Sequence, residues 1–223
     1  MSELKELYQQ IAEIGRRLGA RRIVLYGSRA RGDHRERSDI DLAVFGAPPK
    51  SYSAFLDSLD ELPTLLRFDL VFVTDQTSRD LLKNIEQDGI TLMSKLKEKY
   101  DKLAKAVSRL QESIADFERY HMDSIRDGVI QRFEFCAELA WKTLREYLID
   151  QGYQNVNSPK AVMRLSYEDG IINNDASWVS LMNARNLTSH TYDEDTADEI
   201  YHLICQSYVV LLNELVQDLS QYC

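Results

Sequence analysis

Cysteine is scarce in this chain. Cys136, Cys205 and Cys223 among 223 residues form neither a disulfide framework nor a Cys-x-x-Cys metal site, and two of them fall on apolar helix faces as reduced packing residues. Four prolines and nine glycines exclude a fibrous or low-complexity chain. With 44% hydrophobic residues the composition suits a globular protein of one large or two small domains. No apolar run approaches the roughly 18 residues that a membrane span needs. The N-terminus carries Glu3, Lys5 and Glu6 rather than a basic segment leading into an apolar stretch, so the expectation is a cytoplasmic protein without membrane contact. Positive charge is short as well: the formal net charge is -9, and it is unevenly divided. Residues 1–98 hold 15 Lys and Arg against 16 Asp and Glu, whereas residues 99–223 hold 12 against 20. Phosphate attraction needs accumulated positive charge, so the second half is a poor nonspecific nucleic-acid binder, and any RNA contact must be local or made in a dimer groove.

The hydrophobic pattern changes character after about Met93. Before it, strand-like runs at 22–26, 39–45, 67–73 and 90–93 alternate with helical patterns at 3–18, 51–61 and 78–87. After it every segment is helical. Leu103, Val107, Leu110, Ile114 and Phe117 keep one stripe, and Phe133, Ala137, Trp141, Leu144 and Leu148 keep another within Val129 to Ile149, with Gly152 as its stop. Ser158-Pro159 opens a shorter helix, Asp175 or Ser177 opens the next, and Ile200, Leu203, Ile204, Leu211, Leu215 and Leu219 stripe the last. The expected fold is an α+β domain over residues 1–97, a small mixed sheet with helices, followed by an all-α up-and-down bundle of four or five helices over 98–223. A lysine-rich helical stretch around Ser94 to Lys102 joins them.

Chemistry concentrates between the first two strands. Gly27-Ser28 follows one strand and opens a short helix, where backbone N–H groups and a hydroxyl hold phosphate oxygens. Ten residues later comes Asp39-Ile40-Asp41 at the start of the next strand, and side chains two apart on a strand share a face. Two carboxylates that close repel unless a cation lies between them, and hard oxygen ligands suit Mg²⁺ carrying a substrate phosphate. Asp69, between Phe68 and Leu70 in the third strand, is expected to be buried and therefore to need a metal or hydroxyl partner. Arg29, Arg31, Arg35 and Arg37 crowd the turn either as a solvated loop or as guanidinium donors to a polyphosphate. His34 reads as an exposed loop histidine.

Gly27-Ser28-Arg29-Ala30-Arg31-Gly32, Ser38-Asp39-Ile40-Asp41-Leu42-Ala43-Val44 and Phe68-Asp69-Leu70-Val71 resemble the signature of the minimal nucleotidyltransferases, the small branch of the polymerase-β-like superfamily. The resemblance covers about residues 1–95. It implies that Gly27 and Ser28, with Arg29, Arg31 and Ser38 beside them, bind a nucleoside triphosphate, taken to be ATP. It also implies that Asp39, Asp41 and Asp69 ligate Mg²⁺, two ions in all, and that Asp69 completes the metal site or accepts the proton of the attacking hydroxyl.

In the helical half, Arg185-Asn186-Leu187-Thr188-Ser189-His190-Thr191-Tyr192 stands out. An Arg and a His five apart near a helix end either cap and bridge helices or act together as transition-state cation and general acid-base for metal-free RNA cleavage. The fuller string resembles the motif of the HEPN family of helical proteins, many of them ribonucleases. Phe133 to Leu144 is similar to a helix of that family's nucleotidyltransferase substrate-binding branch. Members of the two families often pair as toxin and antitoxin, the transferase adding AMP to the motif tyrosine, here Tyr192, and silencing the ribonuclease. Here one chain carries both.

Three readings follow. The first is an ATP-dependent adenylyltransferase that modifies Tyr192 of its own HEPN domain, in cis or across a homodimer. The second is a small-molecule transferase of the aminoglycoside-inactivating kind, with the bundle completing the acceptor pocket. The third is a binding module that has lost its catalysis, against which the three aspartates speak. Tyr192 within its full motif favours the first over the second.

Overall fold

The computed structural model of the chain describes residues 2–188 and 194–223, and it divides into two compact units, Met1–Lys95 and Leu96–Cys223. In the first unit α1 (Ser2–Leu18) leads into β1 (Arg22–Tyr26), α2 (Gly27–Arg31) and β2 (Ile40–Phe45). There follow α3 (Tyr52–Asp60), β3 (Phe68–Val73), α4 (Arg79–Asp88) and β4 (Ile90–Ser94). The strands form one sheet in the order β3-β2-β1-β4. β1 is antiparallel to β2 and β4, while β2 and β3 run parallel, so the sheet is small and mixed as the alternating pattern predicts.

The two faces of that sheet are covered unequally. Leu7, Ile11 and Ile14 recur at helical spacing, and α1 buries them with Phe55 and Leu59 of α3 against Ile23, Leu25, Leu42 and Val44. The opposite face has a much smaller core of Val24, Ala43 and Ile85, because α4 packs chiefly on β1 and α2. Every residue of β3 therefore keeps some solvent contact. Asp69 is exposed, which corrects the expectation that it is buried: a third strand at the sheet edge needs no apolar cover on both faces.

The second unit consists of α5 (Lys95–Tyr120, entered from the first unit), α6 (Asp123–Asp150), α7 (Pro159–Asp169), α8 (Asp175–Leu187), α9 (Glu194–Leu203) and α10 (Val209–Leu219). A single π-helical turn, Ile204–Tyr208, joins α9 to α10. The predicted stripes converge on one core. Leu103, Val107 and Leu110 of α5 meet Phe133, Ala137, Leu144 and Leu148 of α6, with Trp178 and Leu181 of α8 and Ile200, Leu212 and Leu215 behind them. Phe133 stacks on Tyr208 with ring centroids 5.3 Å apart. α6 begins six residues earlier than its apolar stripe. Arg126 in that first turn is buried and donates from Nη1 to Asp198 Oδ1 of α9 at 2.6 Å, a tertiary ion pair that holds a turn with no apolar periodicity. Leu144 is fully buried. Leu144→Ala is expected to cost the helical unit about 2–5 kcal/mol through lost transfer energy and an unfilled cavity, read by chemical denaturation.

Candidate functional site

β2 and β3 pair in parallel with Asp41 directly opposite Asp69, and β1 pairs with β2 so that Tyr26 is opposite Asp41. Directly paired residues share a face, so Tyr26, Asp41 and Asp69 form one row across three strands, on the sparsely covered side of the sheet. Asp39 lies just ahead of β2. Partial burial, then the charges of Asp69 and Asp39, push the Asp41 carboxyl above its ordinary range, against the opposing pull of Arg29 and Arg31. Burial and the carboxylates of Asp69 and Asp41 push the Tyr26 phenol up as well. The three aspartates expected from the sequence are therefore brought into one electrostatic neighbourhood.

Gly27 shows why this neighbourhood holds together. Its φ is +71°, in the left-handed region where only glycine is at ease. A Cβ there would collide with Asp41 Oδ2 and stand 3.0 Å from Cγ. The turn and the carboxylate occupy the same small space, and glycine permits it. Ser28 follows in the first turn of α2, half-buried, with no hydrogen bond to its hydroxyl among the described residues. α2 also opens without a side-chain cap. A divalent cation fits here by charge and donor chemistry, since it would relieve the repulsion that raises Asp41. Among the described residues no three His, Cys, Asp or Glu side chains yet stand grouped to hold a metal, so ligation requires the aspartate side chains to turn toward a common point. When bound, such a cation supplies charge neutralisation at the phosphates of a nucleotide.

Three of the four arginines of the turn take separate roles. Arg29 is buried: Nε donates to the carbonyls of Ser38 at 3.0 Å and Asp39 at 3.2 Å, and Nη2 to those of Ser38 at 2.7 Å and Glu36 at 3.2 Å. This corrects its expected place as a polyphosphate donor. Its guanidinium clamps the loop that delivers Asp39, because four buried carbonyl contacts satisfy a charge that would otherwise be costly to bury. Ser38 closes a turn, its Oγ accepting from the Arg35 N–H at 3.0 Å. Arg31 is exposed and pairs with Asp33 at 3.2 Å. Arg37 lines a cleft with Asp39.

In the helical unit Arg185 lies in the last turn of α8. It donates from Nη2 to Glu138 Oε2 of α6 at 3.3 Å and from Nη1 to Asn186 Oδ1 at 3.2 Å. Glu138 also accepts from Trp141 Nε1 at 3.0 Å and pairs with Lys142 at 2.7 Å. Burial alone would raise the Glu138 carboxyl, but the Lys142 and Trp141 hydrogen bonds and the Lys142 and Arg185 charges outweigh it and hold it below the ordinary range. Thr188 Oγ donates to the Arg185 carbonyl at 2.6 Å and ends the helix. His190 and Tyr192 lie outside the described residues. Sequence reasoning missed Tyr26, Glu138 and the buried clamp of Arg29. Tyr26 was detectable, because it ends the strand that leads into Gly27. The Glu138–Arg185 pair spans 47 positions and leaves no local signal.

Asp41→Asn removes one of the opposed charges, so it is expected to raise the metal-free Tm by about 2–5 °C. It should also abolish the Tm gain that Mg²⁺ gives the unsubstituted chain and that EDTA reverses. Gly27→Ala should lower the metal-free Tm and lose the same gain. For Glu138, a carboxyl held low in the folded state contributes stability that is present above its unfolded pKa and lost as pH falls through the folded value. Glu138→Gln should therefore unfold at lower temperature than the unsubstituted chain at pH 7, and the two should converge as the pH falls through the folded-state value.

Residues 9–98 match the polymerase beta nucleotidyltransferase family, and residues 98–221 match the family described as nucleotidyltransferase substrate binding protein like. The probable ribonuclease HepT of Haemophilus influenzae is 31% identical over 103 residues, which span 44% of this chain and 70% of that protein. A solved structure from Haemophilus influenzae, reported as the substrate binding domain of a nucleotidyltransferase, is 26% identical over 54% of this chain and 98% of its own, with a TM-score of 0.49. A solved protein of Thermus thermophilus is 32% identical over 53% and 98%, also at 0.49. Scores at that level carry no weight for the fold, which rests on the family matches and the sheet. The chain has a polymerase beta type nucleotidyltransferase domain followed by a nucleotidyltransferase substrate binding domain homologous to HepT, and it belongs to the nucleotidyltransferase substrate binding protein like family.

Proposed function

We propose that this protein is a Mg²⁺-dependent adenylyltransferase that moves AMP from ATP onto Tyr192 of its own substrate binding domain, or that of a second copy, and so silences a ribonuclease built on Arg185 and His190. The observation that carries the transferase half is Asp41 held against Gly27 and paired directly with Asp69, with Asp39 in the same electrostatic neighbourhood. The similarity to a protein named a probable ribonuclease supports the other half.

In this reading the triphosphate lies against the Gly27-Ser28 turn. The Tyr192 phenol oxygen attacks the α-phosphorus, the bond from that phosphorus to the α–β bridging oxygen breaks, pyrophosphate leaves, and Asp69 takes the phenolic proton. A phenol with a pKa near 10 is a weak nucleophile, so a carboxylate base and a neutralised phosphate are both needed. The product bears bulk and negative charge two residues from His190, in a neighbourhood already acidic through Asp193, Glu194 and Asp195. RNA phosphates are then repelled and sterically blocked.

Peptide mapping after incubation with Mg-ATP tests the reading. The expected result is a mass increment of AMP on Tyr192, absent in Tyr192→Phe and reduced by orders of magnitude in Asp41→Asn, with little change in far-UV circular dichroism. An unmodified Tyr192 beside an adenylylated small molecule would move the function to small-molecule transfer. Near-normal transfer by Asp41→Asn would remove the metal assignment.

A further inference from the structure

A cleft of about 760 Å³ opens beside Asp39, lined by Glu36, Arg37, Asp39, Leu65, Leu66 and Arg67. Its position follows from strand register. The Ile40 N–H donates to the Arg67 carbonyl at 2.8 Å, and Ile40 pairs with Phe68, so Asp39 and Arg67 stand side by side just ahead of the parallel strands. Arg37 is carried on the stretch whose carbonyls, at Glu36, Ser38 and Asp39, are gripped by buried Arg29. The cleft is thus anchored on both walls, although it lies on the surface.

The composition of its walls is unusual for a site next to three carboxylates. Arg37 and Arg67 are both exposed, and neither side chain has a hydrogen bond or ion pair among the described residues. Arg29 and Arg31, by contrast, are engaged with loop carbonyls and Asp33. Leu65 is fully exposed on the same cleft, and Leu66 is half-buried behind it. Two uncommitted guanidiniums next to an exposed leucine do not resemble a polyphosphate seat, which has no use for apolar surface. They resemble a seat for a peptide that brings carboxylates and some apolar area. In the reading proposed above the phosphates lie at Gly27-Ser28, where the turn closes onto Asp41.

The chain carries a segment of that chemistry. Tyr192 is followed by Asp193, Glu194 and Asp195, and Glu194 and Asp195 are exposed at the start of α9.

We infer that the Arg37–Arg67 cleft selects the acceptor: it binds a peptide segment in which the modified tyrosine is followed directly by carboxylates, residues 192–195 being that segment in this chain. The inference rests on the transfer to Tyr192 proposed above and names what that site reads in its substrate. The covalent step is unchanged, with the phenol oxygen displacing pyrophosphate from the α-phosphorus of ATP. Arg37 and Arg67 act by positioning the phenol, and neither takes part in bond making.

The test measures the rate of AMP incorporation at Tyr192 in the full chain with saturating Mg-ATP, by intact mass and peptide mapping. Arg37→Ala with Arg67→Ala is expected to slow incorporation about tenfold, and Asp193→Asn with Glu194→Gln and Asp195→Asn by a similar factor. Combining the two sets should add little, because both remove the same contacts. Exchanging the charges, with Arg37→Glu and Arg67→Glu against Asp193→Lys, Glu194→Lys and Asp195→Lys, should restore most of the rate lost by the arginine exchange alone. KM for Mg-ATP should stay within about twofold throughout. Undiminished transfer in the arginine variant, a loss explained by a raised KM for ATP, or no restoration on charge exchange would each overturn the inference while leaving transfer to Tyr192 standing. No AMP on Tyr192 in the unsubstituted chain would overturn the transfer reading and this inference with it.

Discussion

Asp41 and Asp69 stand directly opposite one another on parallel strands, and like charges in that register repel. No fold places them there for stability. The arrangement is tolerated because both lie toward the open side of the sheet, where α4 covers chiefly β1 and α2, and because solvent reaches Asp69 freely. It is pressed further by Gly27, whose missing side chain lets the phosphate-type turn close onto the Asp41 carboxylate. A sheet with helices packed fully on both faces would have buried the pair without compensation. A turn without glycine would have pushed it aside. The local instability marks a place that a divalent cation and an anionic ligand together would relieve.

The rest of the first unit reads as support for that row. Arg29 donates through four carbonyl contacts inside the protein and thereby fixes the loop that ends in Asp39. α1 and α3 supply the large core on the far face, so the strands keep their register even though the near face is thinly covered. In the second unit the same economy appears around Arg185. Its guanidinium is oriented by Glu138, which is itself held by Lys142 and Trp141 on the same helix, so the motif arginine comes from a rigid helix end rather than from a free side chain.

The sequence made the architecture legible where periodicity carries it. The four strands, the switch to helices after about Met93 and the apolar stripes of α5 and α6 are local patterns of period two or near four, and the sheet and core follow them. The spacing from Gly27-Ser28 to Asp39 and Asp41 was equally readable, since a turn and a strand start are both local features. What it did not convey depends on contacts between distant positions. The first turn of α6 is secured by Asp198, 72 residues on, and Arg185 by a glutamate 47 residues earlier. Arg29 looks like its three neighbours until the loop folds back to present carbonyls to it. Asp69 reads as buried from its flanking Phe68 and Leu70, and only strand order shows that it lies on an edge. That difference shifts the case for Asp69 from desolvation to proximity.

The transferase half of the account depends on where cations and nucleotide bind. The most direct test is a crystal of the full chain grown with Mn²⁺ and a non-hydrolysable ATP analogue, measured for anomalous scattering at the manganese edge. Manganese peaks about 2.1 Å from carboxylate oxygens of Asp39, Asp41 and Asp69, with the triphosphate against Gly27 and Ser28, are the expected result. Nucleotide bound at another surface, or at this one with no manganese on the three aspartates, would contradict it.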